Sequence, residues 1–144
     1  MKQIYFRNNF VNIYYDKDLC LGKAEWKGDL IGAEYREAVL LCLDLIDRHE
    51  LIGWLGDNRR MNSIRPDDLE WSVRVFLPKL LESSLLRLAN LPSENEQNRT
   101  AVEAIYNKTN IPDKELTVRS FISEEEAAAW LRELPEAKKA RDSE

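Results

Sequence analysis

The residues best suited to recognition chemistry lie in one stretch, Asp57-Asn58-Arg59-Arg60-Met61-Asn62-Ser63, with Arg65 two positions further on. Three arginines therefore gather within a few residues of a chain that is acidic as a whole. Its 144 residues carry 21 Lys and Arg against 26 Asp and Glu, a net charge of −5. Guanidinium groups bind carboxylates and phosphates through paired N–H donors. A helix opening at Pro66 would add free backbone N–H groups beside them. The stretch could thus hold a phosphate, a carboxylate, a lipid headgroup or an acidic partner loop. Asp57, Asn58, Arg59, Arg60, Ser63 and Arg65 would be the binding residues. A purely structural arrangement competes with this one. In it, Asp57 and Asn58 fix the turn through their own backbone, while the arginines pair with Asp67, Asp68 and Glu70.

Other chemistry-bearing residues are sparse. His49 is the one histidine, which excludes a multi-histidine metal site. It sits near the end of a helical segment, where a cation favours the helix dipole, and no nucleophile is spaced to work with it. Glu124, Glu125 and Glu126 are consecutive, so they do not share one helix face, and acids suit a helix N-terminus. Cys20 and Cys42 read as small buried hydrophobes in a reducing compartment. With 5 glycines there is no glycine-rich phosphate loop. No catalytic residue, metal site or cofactor is expected. The negative charge, spread evenly over both halves, argues against general nucleic-acid binding. The first nine residues lack the apolar stretch of a signal peptide, and no run approaches a membrane span. A cytoplasmic location without membrane attachment is expected.

The elements that must position the arginine stretch follow from periodicity. Phe10–Tyr15 and Leu19–Trp26 read as two strands of an antiparallel hairpin. From Leu30 to Glu50, Tyr35, Ala38, Val39, Cys42, Leu45 and Ile46 recur at helical spacing. Leu51–Asp57 is a short apolar run, as expected of a buried central strand. Pro66-Asp67-Asp68 opens a second helix, with Leu69, Val73, Phe76, Leu77 and Leu80 as its inner stripe. Arg65 is a poor N-cap there, since it offers no acceptor. Pro78 should kink or split this helix. Leu85–Leu91 is a strand, Thr100–Thr109 a helix and Leu116–Phe121 a last strand. Ser123 with Glu126 reads as a capping box for a final helix that Pro135 ends. The expected fold is α/β: one domain over residues 1–134 in the order ββαβαβαβα, then a polar tail over 135–144. The sheet should be mixed and mostly parallel behind its N-terminal hairpin. The arginine stretch would then be a loop at the carboxyl end of a central strand, where such sheets bind ligands.

Trp71, with Val75 and Pro78 on its side, lies well round the second helix from the inner stripe. A second apolar face must be buried somewhere. These three residues are therefore expected to form the interface of a homodimer or protein partner or to line a hydrophobic ligand pocket, unless the next loop or a terminus of the chain itself covers them.

The segments Ala24-Glu25-Trp26-Lys27-Gly28, Tyr35-Arg36-Glu37-Ala38, Trp54-Leu55-Gly56-Asp57-Asn58-Arg59-Arg60-Met61 and Pro66-Asp67-Asp68-Leu69-Glu70-Trp71 resemble small bacterial STAS-like proteins of the SpoIIAA-like fold. The resemblance spans roughly Phe10 to Leu134, and the run from Asp57 to Met61 is its most specific part. It implies a STAS-type α/β sandwich and a regulatory or protein-interaction role. STAS domains that antagonise anti-sigma factors are switched by phosphorylation of a Ser that follows an Asp at the end of this strand. Here Asp57 is followed by Asn58 and Arg59, so that switch is not expected. The expectation is a non-catalytic, self-associating interaction module. The alternative is a binder of a small anion or lipid at the stretch after the central strand.

Overall fold

The computed structural model describes residues 2–109 and 115–142. Three strands come first: β1 (Lys2–Arg7), β2 (Val11–Asp16) and β3 (Leu21–Gly28). Helix α1 (Gly32–His49) leads to β4 (Gly53–Met61). Then come α2 (Pro66–Trp71), a π-helical turn over Ser72–Phe76, α3 (Leu77–Glu82) and β5 (Arg87–Leu91). Helix α4 (Glu96–Tyr106), β6 (Thr117–Ser120) and α5 (Glu124–Asp142) complete the chain. The six strands form one sheet in the order β1-β2-β3-β4-β5-β6. The first two pairings are antiparallel and the other three parallel. This is the expected α/β class with a mixed, mostly parallel sheet.

The placing of the helices follows from that order. Right-handed crossovers between parallel strands laid down in one direction put every crossover helix on the same face. The larger core accordingly joins α1, Trp71 of α2, Leu80 of α3 and Ala101 and Val102 of α4 to Ala24, Trp54 and Leu88 of the sheet. Helix α5 follows the last strand and is free to return over the opposite face. There Ala127 and Leu131 meet Leu55, Ala89 and Leu91. Leu21 of β3 packs at the edge of this second cluster, and Lys23 of β3 donates to Glu124 of α5.

The hydrogen bonds at the helix starts come partly from distant residues. Helix α1 begins after Ile31, which cannot cap it. Asp68, buried in α2, accepts the Gly32 N–H at 2.9 Å and the Arg36 Nε at 3.2 Å instead. It therefore satisfies a free donor of α1 and ties the two helices together. Helix α2 has no side-chain cap at Arg65, as expected. Gln97 holds the preceding loop by bonding both the N–H and the C=O of Ile64.

Five local expectations need correction. Lys2–Arg7 is a strand that lacks clear alternation. Its charged ends and a register irregularity between Ile4 and Phe6 suit an exposed edge. The strand read as Leu51–Asp57 runs to Met61, because β3 continues beside it to Gly28. The helix read as Thr100–Thr109 begins at Glu96, capped by Asn95, whose side chain accepts the Asn98 N–H at 2.9 Å. Helix α5 runs through Pro135 to Asp142. A proline removes one helical hydrogen bond, and the Glu-Ala-Lys-Lys-Ala-Arg run after it favours helix.

The fifth correction concerns Trp71. It is 8% exposed and packs edge-on against Tyr35, with ring centroids 6.2 Å apart. It offers no interface on the surface of this chain. Val75 is half-buried against the same core, and of the three expected interface residues Pro78 alone is exposed. The cause is the π turn. Pro78 has no N–H for the ordinary helical bond and its ring crowds the preceding turn. The helix widens there, and the Leu77 N–H reaches back to the Ser72 carbonyl. One extra residue in the turn shifts the upstream phase by one position. Asp68 and Ser72 take the inner places expected for Leu69 and Val73, and Trp71 turns inward with them.

Candidate functional site

Strand β4 is the centre of the candidate site. Its first half, Gly53 to Gly56, is apolar or small and buried on both faces. Its second half carries the polar residues into the sheet rather than into a loop. Opposite Trp26 of β3 the register slips, so that Glu25 pairs with Asp57 but Lys27 pairs with Arg60. The extra residue is a bulge. In a regular strand, adjacent side chains point to opposite faces. Here both Arg59 and Arg60 line one cleft of about 390 Å3, with Asp57, Glu25, Lys27, Asn12 and Glu94.

Arg59 is held rather than free. Its Nε and Nη2 donate to the two carboxylate oxygens of Asp57 at 2.9 and 2.8 Å, and Nη2 also reaches Glu124 at 3.2 Å. Glu124, at the start of α5, accepts from Lys23 as well, and Lys23 contacts Glu25 at 3.1 Å. A chain of alternating charge, Glu25–Lys23–Glu124–Arg59–Asp57, thus crosses β3, β4 and α5. Burial alone would raise the Asp57 carboxyl. The guanidinium and backbone N–H of Arg59, with the charges of Arg59 and Lys23, outweigh it and hold its pKa below the ordinary value. Hydrogen bonding from Lys23 is the largest influence on Glu124 and lowers it. Burial disfavours the charged Lys23, yet bonds to Glu124 and Glu25 raise its pKa. Lys23, Asp57, Arg59 and Glu124 are therefore charged near neutral pH. Asp57, Glu25 and Glu94 balance Arg59, Arg60 and Lys27 around the cleft. Arg60 and Lys27 have no carboxylate partner among the described residues.

The structure brings together Asp57, Arg59 and Arg60 of the six expected binding residues and separates the rest. Asn58 points to the opposite face, where its Nδ2 donates to Asn90 Oδ1 at 2.8 Å, and Asn90 donates in turn to Ser120. Ser63 is exposed and donates to Asn95 Oδ1 at 3.4 Å. Arg65 is exposed and lies 3.8 Å from Asp67, the one of the three expected acid partners of the arginines that it meets. Arg36, in α1, is the arginine that takes Asp68. Lys23, Glu25 and Lys27 also belong to the site, as does Glu124, which the sequence presents only as an acid at a helix N-terminus. The signal for the first three was their alternation along β3, which puts them on one face beside Asp57 and Arg59. For Glu124 local spacing carries no signal, since its lysine partner is 101 residues away.

His49 stacks on Tyr15 with ring centroids 4.6 Å apart. Ser123 accepts the Glu126 N–H at 3.3 Å, the forward half of the expected box. Cys20 and Cys42 are both free thiols, and burial pushes Cys42 up. No helix among the described residues is long and apolar enough to cross a membrane. No protein-family model, no curated protein and no solved structure matches the chain.

Proposed function

We propose that this chain is a non-catalytic interaction module of the STAS-like type that self-associates through the cleft at the carboxyl ends of β3 and β4. The observation that carries this reading is the charge balance of the cleft, three acids against three bases on one rigid surface. A two-fold interface brings the same patch of two copies together, so it must be self-complementary, and a patch of mixed sign meets that requirement. Asp57 and Glu124 hold Arg59 in a fixed place, which keeps the pattern rigid. Arg60 and Lys27 remain available to meet acids of the second copy. The test is sedimentation velocity at low and high salt. A dimer is expected at low ionic strength, weakening as salt rises, because charge pairs at a surface are screened. Arg60→Glu should give a monomer, and Arg60→Glu combined with Glu94→Arg should restore association. A monomer for the wild type under all conditions overturns the reading.

A second reading is favoured by the same two unpaired cations. A small anion, free or as a lipid headgroup, would sit in the cleft against Arg60 and Lys27. Phosphate and citrate would then raise the melting temperature of the wild type and leave that of Arg60→Ala unchanged. Equal shifts in both proteins remove this alternative.

A further inference from the structure

The crossover helices all lie on one face of the sheet, and α5 is the helix over the other among the described residues. Between α5 and the strands runs a groove of about 300 Å3. That is the lower end of the range for small-molecule sites. Its floor and walls are apolar: Leu21 of β3, Leu55 of β4, and Ala128 and Leu131 of α5, with Leu19 at the end by the hairpin turn. Its rim is cationic. Lys2 lies with Nζ 4.0 Å above the Tyr14 ring, and the exposed Arg132 of α5 lines the same groove. Neither has a carboxylate partner among the described residues. The rim acids are already engaged. Asp16 accepts the N–H groups of Asp18 and Leu19 at 3.0 and 3.1 Å, and Glu124 is shared between Lys23 and Arg59.

We infer that this groove binds a small amphipathic carboxylic acid, a medium-chain aliphatic or single-ring acid. Its apolar body lies along Leu21, Leu55 and Leu131, and its carboxylate meets Lys2 and Arg132. The charge pattern selects the class. An apolar trough with two cations that lack carboxylate partners among the described residues favours an anion over a neutral or cationic amphiphile of the same length. A backbone strand or an amphipathic helix would leave those cations unanswered unless it brought its own acids. The groove shares Lys23 and Glu124 with the charge network beside the β3–β4 cleft, but Arg60 and Lys27 line that cleft alone, so the two can be tested apart.

Calorimetric titration of the whole chain with decanoate tests the inference. One molecule should bind per chain. Decyltrimethylammonium, with the same tail and a positive head, should not bind saturably. Arg132→Glu should weaken decanoate about tenfold, the loss expected for one charge-assisted contact. Ala128→Trp fills the open groove from a half-buried position and should abolish binding. Arg60→Ala, in the other cleft, should leave it unchanged. Should Ala128→Trp fail to fold, Arg132→Glu decides, since residue 132 is on the surface. The inference is overturned if decanoate shows no saturable binding, if the cationic amphiphile binds as well, or if Arg132→Glu binds as the wild type does.

Discussion

Asp57 shows how much of the site depends on one carboxylate. It is buried, and both its oxygens are taken by the guanidinium of Arg59. Replacing it with Asn keeps the shape and removes the charge that orients Arg59. Arg59 is itself 42% exposed and regains water, so the cost is that of a charge-assisted hydrogen bond rather than a stranded ion, about 1–2 kcal/mol. The pH dependence has a definite sign. The folded pKa of Asp57 lies below its ordinary 3.8 and that of Glu124 below its ordinary 4.5. Their stabilisation is complete above those ordinary values and is lost as pH falls through the lower folded ones. The gap in urea stability between wild type and Asp57→Asn at pH 7 should therefore narrow at pH 3. A constant gap across that range would show that the Asp57 charge does not cause the difference. Asp57 and Arg59 could be picked from the sequence because they lie in one polar, arginine-rich run; that they share a strand face could not, since the apolar run that marks the strand ends at Asp57. Lys23 and Glu124 could not be paired from it, since only the return of α5 over the sheet brings them together.

Among the elements, regular periodicity was readable and its interruptions were not. The apolar stripe of α1 and the strand character of β2, β3 and β5 follow from spacings of two, three and four residues. The second helix misled because one π turn before Pro78 changes the phase of everything upstream, exchanging Leu69 and Val73 for Asp68 and Ser72. A proline signals that a helix will be disturbed, but not which way the disturbance rotates it. The β4 bulge has the same character: it adds one residue and puts two adjacent arginines in the same cleft. Close packing between elements is also invisible locally. Gly22 of β3 is paired with Trp54 of β4, and a Cβ there would lie 2.4 Å from the indole and 2.8 Å from Leu51. Gly22→Ala should thus cost about 1–3 kcal/mol through overpacking, read as a lower urea midpoint. Adding Trp54→Phe should recover part of that loss. Full stability of Gly22→Ala alone would mean the indole has room to move.

On the scale of the whole molecule, the sheet is unevenly protected. Strand β4 has a parallel partner on each side, α1 and the second helix over one face, and α5 over the other. Strand β1 is an edge with an irregular register, and β6 is a short, largely exposed strand. Amide exchange tracks local opening, which is rarest where both edges and both faces are covered. Exchange measured by mass spectrometry should be slowest in Gly53–Asp57 and faster in Lys2–Arg7 and Thr117–Ser120. Faster exchange in β4 than in β1 would contradict this account. The uneven cover could be read only in part from the sequence. The β-α alternation implies helices on the sheet, but their distribution between its faces depends on the strand order.

That order has a consequence for synthesis. Each strand lies beside the one made just before it, so a nascent chain leaving the ribosome never holds a gap open for a segment still to come. The β1–β2–β3 meander can form first and serve as a template, and each β-α unit then extends one growing edge. Because contacts between neighbours in sequence close short loops, they cost less chain entropy than insertion of a late strand between two early ones. The last element, α5, has a different task. It reaches back across strands already laid down, and through Glu124 it ties β3 to β4 when the rest of the sheet is in place.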